Sequence, residues 1–430
     1  MENIDFNKLL LGIDSDVCTI EYGKIRSINF DNAATTPPFR KVIDAISDFG
    51  KYYGSIGRGA GQKAEITTRI YNEGRKYILE YFKINDKDKY TVVYVNNTTD
   101  GINKLARTLI KNKEDIVICT RMEHHSNDLP WRRACRVDYV EVDDNGRLLI
   151  DQLEEMLIRY KGKVKYVTVT GASNVTGYVN NIHEIAAIAH KYNSKIIVDG
   201  AQLVPHREIS MTGRNAMEAI DFLVFSAHKL YAPFGAGAIV GLKEELNNKC
   251  PGNEGGGTVN FVMDTSVQYL DTPEKDEAGT PNYFGVVAMI TALYELRKIG
   301  MYKIDQNEMM LKDRLIRGLK RIPRIIIYGD KDYYDDSLGI VVFNIGSIYH
   351  QTVVEILAKN YGISVRQGWF CCHPYCRRLM HMSEKVASTF IHDQRSKMPG
   401  MIRVSFGIYN TVEEVDYFLD VIERIEQKNR

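Results

Sequence analysis

The chain has 430 residues, which exceeds the length that one hydrophobic core usually supports, so two or more domains are expected. Its 56 basic and 55 acidic side chains give a net charge of +1, which offers no electrostatic reason to expect nucleic acid or an anionic membrane as a partner. No apolar run approaches the roughly 20 residues that cross a bilayer, and the first residues lack a signal-peptide pattern. Seven cysteines are too few for a disulfide scaffold, so we expect a cytoplasmic protein with reduced thiols.

Short β-branched runs alternate with helical patterns along the first part of the chain. Seven of these runs predict strands, at Thr91–Val95, Ile116–Cys119, Val137–Val142, Val164–Thr170, Lys195–Asp199, Phe222–Ser226 and Ala238–Leu242. Between several of them, apolar residues recur at three- and four-residue spacing, as at Leu153, Met156 and Leu157. This alternation predicts an α/β fold with a mainly parallel seven-stranded sheet that is covered by helices on both faces.

The pattern changes after residue 282. A long helical pattern covers roughly Phe284–Leu319, and further elements follow: strands at Gly339–Ile345, Ile363–Arg366 and Met401–Phe406, then a helix at about Val412–Gln427. These elements predict a smaller α+β C-terminal domain. We therefore expect a large domain at 30–295 and a small domain formed by 1–29 and 296–430.

Two polar side chains follow neighbouring apolar strands. Asp199 ends the predicted strand at Lys195–Asp199, and Lys229 follows the strand at Phe222–Ser226. An acid at a strand end is most often a cap or turn residue, but a lysine is rarely placed where it loses water. Burial lowers the pKa of a lysine and makes its amine a competent nucleophile. One such lysine and one carboxylate are what pyridoxal 5′-phosphate (PLP) requires, because the lysine binds the cofactor and the carboxylate keeps the pyridine nitrogen protonated.

A possible anion site follows the first predicted strand of the sheet. Thr98 and Thr99 precede a helical pattern, and backbone N–H groups at a helix N-terminus bind phosphate well when hydroxyls assist them. A plain N-cap explains the same residues without a ligand.

The order of several strings resembles one family. These strings are Phe30-Asp31-Asn32-Ala33-Ala34-Thr35-Thr36, Thr98-Thr99-Asp100-Gly101, Glu123-His124-His125-Ser126-Asn127, Ser173-Asn174-Val175-Thr176-Gly177, Asp199-Gly200-Ala201-Gln202, Ser226-Ala227-His228-Lys229, Glu277-Ala278-Gly279-Thr280-Pro281-Asn282 and Arg403. Together they resemble the fold-type I PLP enzymes of the class V aminotransferase family, in its SUF-type cysteine desulfurase and selenocysteine lyase branch. The resemblance runs from about Asn29 to Asn410.

The resemblance implies a role for each matching residue. Lys229 would bind PLP covalently, Asp199 would pair with the pyridine nitrogen, and Gln202 would bind the ring oxygen. His124 would stack on the ring. The phosphate would be held by Thr98, Thr99, Ser226 and His228, with Thr280 reaching it from the second subunit of a homodimer. Asn174 and Arg403 would hold the substrate carboxylate, a task that suits the two parallel donors of a guanidinium.

A cysteine cluster completes the resemblance. The string Arg366-Gln367-Gly368-Trp369-Phe370-Cys371 matches the pattern that ends in the desulfurase nucleophile, so Cys371 would be catalytic. Three other readings remain for the cluster that continues with Cys372 and Cys376: a metal site, a Cys372–Cys376 disulfide, or small buried apolar side chains. We expect no metal.

The sequence departs from the branch in several places. Trp369 stands where the pattern has histidine, Gly61 ends the Arg58–Gly61 string where histidine is common, and the extra segment Arg377–Pro399 separates Cys371 from Arg403. The expected activity is transfer of sulfur from L-cysteine, or of selenium from selenocysteine, to Cys371 and then to an acceptor protein. The alternative is a class V aminotransferase, epimerase or C–S lyase without a persulfide, and a non-catalytic scaffold is a third possibility.

Overall fold

The protein is described from a computed structural model that covers residues 4–57, 59–248, 250–332, 336–392 and 397–429. Arg58, the first residue of the Arg58–Gly61 string, lies outside these residues. In the described part of the chain, no helix has both the length and the apolar character needed to cross a bilayer.

The strands and helices are numbered here in chain order. The strands are β1 (Asp16–Thr19), β2 (Gly23–Arg26), β3 (Ile28–Asn29), β4 (Tyr90–Val95), β5 (Ile116–Thr120), β6 (Arg136–Val140), β7 (Val164–Thr170), β8 (Lys195–Asp199), β9 (Phe222–Ser226), β10 (Gly237–Leu242), β11 (Val259–Val262), β12 (Val267–Tyr269), β13 (Ile325–Tyr328), β14 (Ile340–Ile345), β15 (Ile363–Ser364), β16 (Arg366–Gly368) and β17 (Met401–Ser405). The helices are α1 (Phe6–Leu9), α2 (Arg40–Gly50), α3 (Gln62–Tyr81), α4 (Thr98–Leu109), α5 (Leu129–Ala134), α6 (Ile150–Tyr160), α7 (Ile182–Lys191), α8 (Lys243–Asn247), α9 (Tyr283–Ile299), α10 (Met301–Leu319), α11 (His350–Tyr361), α12 (His373–Leu379), α13 (Glu384–His392) and α14 (Val412–Lys428).

The large sheet contains the seven predicted strands. Its order is β4-β10-β9-β8-β7-β5-β6, and β10 runs antiparallel to both of its neighbours while the remaining pairs are parallel. Strands β4, β5, β9 and β10 are buried along their whole length, which explains why they read as continuous apolar runs. The predicted α/β class and the mainly parallel seven-stranded sheet are confirmed.

A second, antiparallel sheet has the order β13-β14-β17-β16. Its core is formed with apolar side chains of α10, α11 and α14, for example Leu315, Leu357 and Phe418. Sequence reasoning missed β13, which has three partly buried residues and one exposed residue, Ile326, and shows no alternation of apolar and polar side chains. Strand β3 pairs in parallel with β15, which ties the N-terminal segment to this region.

The long helical pattern at Phe284–Leu319 is two helices rather than one. Gly300 ends α9 and precedes α10 with a φ of +98°, a backbone conformation that a side chain would strain. The first half, α9, packs in the core under the large sheet, whereas Leu311 and Leu315 of α10 reach the second core. Leu10 and Ile13 lie in the first core and Phe30 in the second, and the domain bounds 30–295 and 1–29 with 296–430 stay a prediction.

Candidate active site

A cavity of about 290 Å³ opens at the carboxyl ends of the strands of the large sheet. Open α/β sheets bind ligands at this edge. Eleven of the predicted site residues line it: Thr98, Thr99, His124, Asn174, Asp199, Gln202, Ser226, His228, Lys229, Cys371 and Arg403. Sequence positions up to 305 residues apart in the chain thus meet in one place, since Thr98 and Arg403 share the cavity wall.

Lys229 lies in a single 3-10 turn, Ala227–Lys229, that directly follows β9. Its side chain lines the cavity, and desolvation by burial lowers the pKa of Lys229 to about 8. The negative charge of Asp199 opposes this shift, and Arg403 adds to it. Lys229 therefore holds a substantial neutral fraction near physiological pH, as a nucleophilic amine requires.

Asp199 is the last residue of β8 and is 3% exposed. Its Oδ1 accepts a hydrogen bond from the Ala201 N–H at 3.0 Å. Burial raises the pKa of the Asp199 carboxyl, while the Ala201 donor and the charge of Lys229 lower it. A buried carboxylate with one donor has accepting capacity left, which suits a protonated ring nitrogen in the cavity.

Gln202 lies one turn beyond Asp199. Its Nε2 donates to the Ala33 carbonyl at 2.8 Å, and its Oε1 is buried without a hydrogen-bond partner in the described structure. A buried amide oxygen that accepts no hydrogen bond lowers the stability of the folded protein unless a ligand supplies a donor. The unused polar capacity of Gln202 on this wall fits a polar ligand in the cavity.

His124 precedes a short 3-10 helix, His125–Asn127, and its ring faces the cavity beside Lys229. Its Nδ1 accepts a hydrogen bond from the Ser126 N–H at 3.1 Å. Burial is the main cause that lowers the pKa of His124 to about 3, and the positive charges of Lys229, His125 and Arg403 add to it. The imidazole is therefore neutral at physiological pH, and a neutral aromatic ring is suited to stacking.

The N-terminus of α4 forms an anion cradle. Asn97 caps the helix by accepting from the Asp100 N–H at 2.9 Å, and the Thr98 N–H donates to the Ser226 hydroxyl at 2.7 Å. The hydroxyls of Thr98 and Ser226 lie 2.7 Å apart, and those of Thr99 and Ser126 lie 2.6 Å apart. Four hydroxyls at a helix N-terminus suit a phosphate group.

His228 completes this side of the cavity. Its Nδ1 lies 3.3 Å from the Thr35 hydroxyl, and burial together with the charge of Lys229 lowers the pKa of His228 to about 4. The ring is therefore a neutral hydrogen-bonding group and not a cation at physiological pH.

Thr280 does not reach this cavity in its own chain. It lines a separate cavity of about 120 Å³ with Tyr71, Tyr94 and Glu277. The loop that carries it is anchored at Glu277, whose carboxylate accepts two hydrogen bonds from Arg75, at 2.7 and 2.8 Å. The predicted contact of Thr280 with a phosphate requires a second subunit and stays a prediction.

Arg403 reaches the cavity from β17, in the second sheet, and is 3% exposed. Its Nη1 donates to the Asn174 carbonyl at 2.8 Å and its Nη2 to Asp31 Oδ1 at 2.9 Å, whereas Nε is buried without a partner. Burial lowers the pKa of the Arg403 guanidinium, and Asp31 opposes this shift. A buried guanidinium with an unused N–H is suited to a carboxylate ligand.

Sequence reasoning missed Arg366 and Asp31 as neighbours of the site. Arg366 lines the cavity and is the strand partner of Arg403 across β16 and β17. Its Nη1 lies 3.5 Å from Asp31 Oδ2, so Asp31 contacts both arginines. Only the register of the two strands, which a single sequence does not display, brings this pair together.

Cys371 lies on the cavity wall at the end of a tightly held turn. Phe370 and Cys371 have φ angles of +49° and +53°, and each left-handed residue of this kind costs ~1–2 kcal/mol. The turn is held by the His125 N–H, which donates to the Cys371 carbonyl at 2.8 Å, and by Asn174 Nδ2, which donates to the Phe370 carbonyl at 2.8 Å. The thiol of Cys371 is in an exposed residue, whereas its two neighbours in the cluster are buried.

Cys372 and Cys376 are free buried cysteines, so the disulfide interpretation is wrong for this structure. Cys372 Sγ lies 3.0 Å from the Glu123 carbonyl, as a thiol donor would, and burial raises its pKa well above the ordinary value. The described residues contain no group of three or more metal-ligating side chains. Both cysteines therefore behave as small apolar core residues.

The extra segment Arg377–Pro399 contains the end of α12 and all of α13, and its residues 393–396 lie outside the described part. Trp369, the residue that departs from the branch pattern, donates from its indole Nε1 to the Pro399 carbonyl at 2.6 Å. The tryptophan thus ties the turn of Cys371 to the end of this segment.

Comparison with known proteins identifies the family. The model of the family described as "Aminotransferase class-V" matches residues 28–418. The chain belongs to this family. It is 32% identical over 426 residues to a cysteine desulfurase of Enterobacter sp. (strain 638), with 96% of each chain covered. It is 31% identical to a probable cysteine desulfurase of Pyrococcus abyssi, with 94% of this chain and 95% of the relative covered.

Two solved structures of class V relatives have the same fold. The apo cysteine desulfurase from Thermococcus onnurineus NA1 is 28% identical, covers 94% of this chain and 95% of its own, and has a TM-score of 0.82. The cysteine desulfurase CsdA (S-sulfonic acid) from Escherichia coli is 25% identical, covers 93% and 95%, and has a TM-score of 0.79. The chain is therefore a class V enzyme with the fold-type I architecture, and this family depends on PLP.

The residues of this cavity fit PLP. The neutral fraction of Lys229, the spare accepting capacity of Asp199 and the unpartnered Gln202 Oε1 match an aldehyde, a protonated ring nitrogen and polar ring substituents, respectively. The hydroxyls around the N-terminus of α4 match the phosphate.

Proposed function

We propose that this protein is a PLP-dependent cysteine desulfurase, which converts L-cysteine to L-alanine and keeps the sulfur on Cys371 as a persulfide. One observation carries the proposal: the exposed Cys371 lines the same cavity as Lys229, Asp199 and Arg403. A class V enzyme that only moves amino groups needs the lysine and the acid but has no use for a thiol at this position. The cysteine desulfurases among the relatives support the same activity.

The proposal assigns a role to each residue around the cofactor. Lys229 binds PLP covalently, Asp199 holds the ring nitrogen, Gln202 binds the ring oxygen and His124 stacks on the ring. Thr98, Thr99, Ser226 and His228 hold the phosphate, together with Thr280 of a second copy in a homodimer. When bound, PLP supplies an electron-accepting ring conjugated to the substrate Cα.

The remaining residues act on the substrate. Arg403 and Asn174 orient the substrate carboxylate, and Lys229, once released from the cofactor, takes the Cα proton as a base. The thiolate of Cys371 then attacks the substrate sulfur, so that an S–S bond forms and the C–S bond breaks. The electron pair of the broken bond stays on the substrate carbon, which takes a proton. The net reaction of enzyme thiol and cysteine gives enzyme persulfide and alanine.

The persulfide has to pass its outer sulfur to another thiol for the enzyme to turn over. We infer that a sulfur-acceptor protein or small thiol supplies that group at the exposed face of Cys371. Selenocysteine carries the same carboxylate, amine and Cβ–chalcogen bond, so the site accommodates it by the same contacts.

Mass spectrometry of the protein after incubation with L-cysteine tests the proposal. The peptide that contains Cys371 should gain the mass of one sulfur, and alanine should appear in equal amount in a single turnover. Cys371→Ala should lose both, whereas Cys18→Ala, which removes another exposed cysteine, should change neither. Sulfide release at the same rate from wild type and Cys371→Ala would contradict the proposal. A requirement for a 2-oxo acid would indicate an aminotransferase instead.

A further inference from the structure

Ser126 lies between the anion cradle at the N-terminus of α4 and the imidazole of His124. Its hydroxyl is 2.6 Å from the Thr99 hydroxyl, which belongs to the anion cradle, and 2.9 Å from Nδ1 of His124, which faces the ring position. Ser126 is 9% exposed and lines the cavity. A continuous row of three polar groups therefore runs from the cradle to the imidazole.

The tautomer of His124 follows from its backbone contact. The Ser126 N–H donates to His124 Nδ1 at 3.1 Å, and a backbone amide nitrogen can only donate, so Nδ1 accepts. The neutral imidazole therefore carries its proton on Nε2. The single lone pair of Nδ1 then accepts from the Ser126 N–H and is shared with the Ser126 hydroxyl, 2.9 Å away, whenever that hydroxyl directs its proton toward the ring.

Each hydroxyl in the row has a single proton to donate. A phosphate monoester is largely dianionic above pH 7 and accepts hydrogen bonds. With such a group in the cradle, the Thr99 hydroxyl donates to it, and the Ser126 hydroxyl is then drawn to donate to Thr99. With the cradle empty of anion, the Ser126 hydroxyl is drawn to His124 Nδ1, and Thr99 donates to Ser126. The direction in which the Thr99 and Ser126 hydroxyls donate their hydrogen bonds therefore depends on whether an anion occupies the cradle.

We propose that Ser126 is a positioning residue that couples phosphate binding at Thr99 to the imidazole of His124. The inference rests on the proposed function, because it takes the phosphate of PLP as the occupant of the cradle. It explains why a serine stands at a position that needs only its backbone N–H to fix the ring of His124. It also predicts that phosphate in the cradle weakens the hydrogen bond that His124 Nδ1 receives.

Ser226 provides a matched control. Its hydroxyl lies 2.7 Å from the Thr98 hydroxyl and also accepts from the Thr98 N–H at 2.7 Å, so it supports the other threonine of the cradle. Each serine thus supports one threonine hydroxyl of the cradle, and of the two only Ser126 contacts His124. A change that follows from general damage to the cradle should appear in both variants.

The first measurement is the dissociation constant of PLP from the full-length protein, followed by the visible absorption band. Ser126→Ala and Ser226→Ala should each raise the dissociation constant of PLP by about three- to tenfold, as expected for loss of one hydrogen bond. For pyridoxal, which lacks the phosphate, the dissociation constant should change by less than about twofold in either variant. Unchanged PLP affinity in Ser126→Ala would overturn the proposal.

The second measurement separates coupling from simple support. In the full-length protein freed of cofactor and labelled with ¹⁵N-histidine, inorganic phosphate at a concentration that saturates each variant should shift the Nδ1 resonance of His124 in wild type and in Ser226→Ala. The same addition should leave that resonance unmoved in Ser126→Ala. The His124 signal is assigned by its loss in His124→Gln. An equal shift in Ser126→Ala would overturn the coupling.

If Ser126→Ala does not fold, the isosteric variants Ser126→Thr and Ser126→Val provide the same test. Ser126→Thr keeps the hydroxyl and should retain the phosphate-dependent shift, whereas Ser126→Val has the same shape without the hydroxyl and should lose it. An equal response in the two variants would overturn the proposal. Neither measurement depends on Cys371, so absence of the persulfide would reject the sulfur transfer of the proposed function, whereas the PLP and phosphate measurements test this inference by themselves.

Discussion

The side-chain amide of Asn174 donates to the main-chain carbonyl of Phe370 at 2.8 Å. Asn174 is the residue that the family resemblance assigns to the substrate carboxylate, yet here its Nδ2 also fixes the backbone next to Cys371. Because Phe370 and Cys371 both have positive φ angles, their turn is held by contacts from outside and not by its own preference. The same amide can thus orient the substrate and the nucleophile together.

Asn174→Ala should therefore loosen the turn of Cys371. We expect alkylation of Cys371 by iodoacetamide to become faster without substrate, because the thiol gains freedom of movement. Persulfide formation should become slower, by about 10- to 100-fold, because a misplaced nucleophile loses its orientation. Peptide mass spectrometry measures both rates. Unchanged alkylation would show that the amide does not hold the turn.

Arg403→Lys should raise the KM for L-cysteine by about 10- to 100-fold, because a lysine ammonium cannot make the paired donation of a guanidinium. Lysine also cannot span the Asn174 carbonyl and Asp31 at once, so the substrate contact and the link between the two sheets weaken together. Steady-state alanine formation measures the effect. The control is Arg317→Lys on the exposed face of α10, where KM should not change. A comparable KM in both variants would contradict the assignment of Arg403.

Bond formation between Lys229 and PLP should follow the lowered pKa of this lysine. Only the neutral amine attacks an aldehyde, so with a pKa of about 8 the rate should rise about fivefold from pH 7 to 8 and only about twofold from pH 8 to 10. A lysine with the ordinary pKa would gain roughly 75-fold over the second interval. Stopped-flow absorbance on the cofactor-free full-length protein measures this profile.

The control for the pH profile is Asp199→Asn. The negative charge of Asp199 raises the pKa of Lys229, so its removal should move the midpoint of the profile to lower pH. A midpoint that stays in place or moves upward would show that the two groups do not interact as described.

The two ion pairs Arg75–Glu277 and Lys76–Glu73 have the same N–O distance of 2.7 Å but differ in burial. The side chain of Glu277 is 8% exposed and that of Glu73 is 58% exposed. Glu277→Ala should lower the free energy of unfolding by about 3–5 kcal/mol, because Arg75 is left as a buried charge without its partner. Glu73→Ala should change it by less than about 1 kcal/mol. Urea unfolding at one fixed protein concentration measures both, and similar losses would contradict the argument from burial.

Much of the fold could be predicted because its central strands have a simple local signature. Strand β9 is apolar over nearly its whole length, and its bounds match the prediction from sequence. Other elements depend on contacts that are distant in sequence. The exposed hairpin of β11 and β12 has no consistently buried face, so its strands show no alternating pattern in the sequence. The break at Gly300 could not be predicted because it depends on where α9 stops packing against the core.

The site divides in the same way. Lys229 and Asp199 could be predicted because each lies at the end of a buried strand, where the edge of the sheet binds ligands. Arg366, Asp31 and Ser126 could not, because their significance arises from partners on other elements: the register of β16 with β17, and the meeting of Thr99 with the turn after His124. The contact of Thr280 with the phosphate of a second subunit stays a prediction, because it requires a second chain.

The lysine and the acid of this enzyme are anchored in one core, and Arg403 lies between Ile402 and Val404 of the other. Phe370 and Cys372, on either side of the thiol of Cys371, pack in a third apolar cluster with Met122 and Val175. A fragment limited to the larger sheet would keep the groups that hold a coloured cofactor and would lose the groups that select and desulfurate an amino acid. Activity therefore depends on how the segments of the second sheet dock onto the larger sheet as well as on the individual side chains that line the cavity.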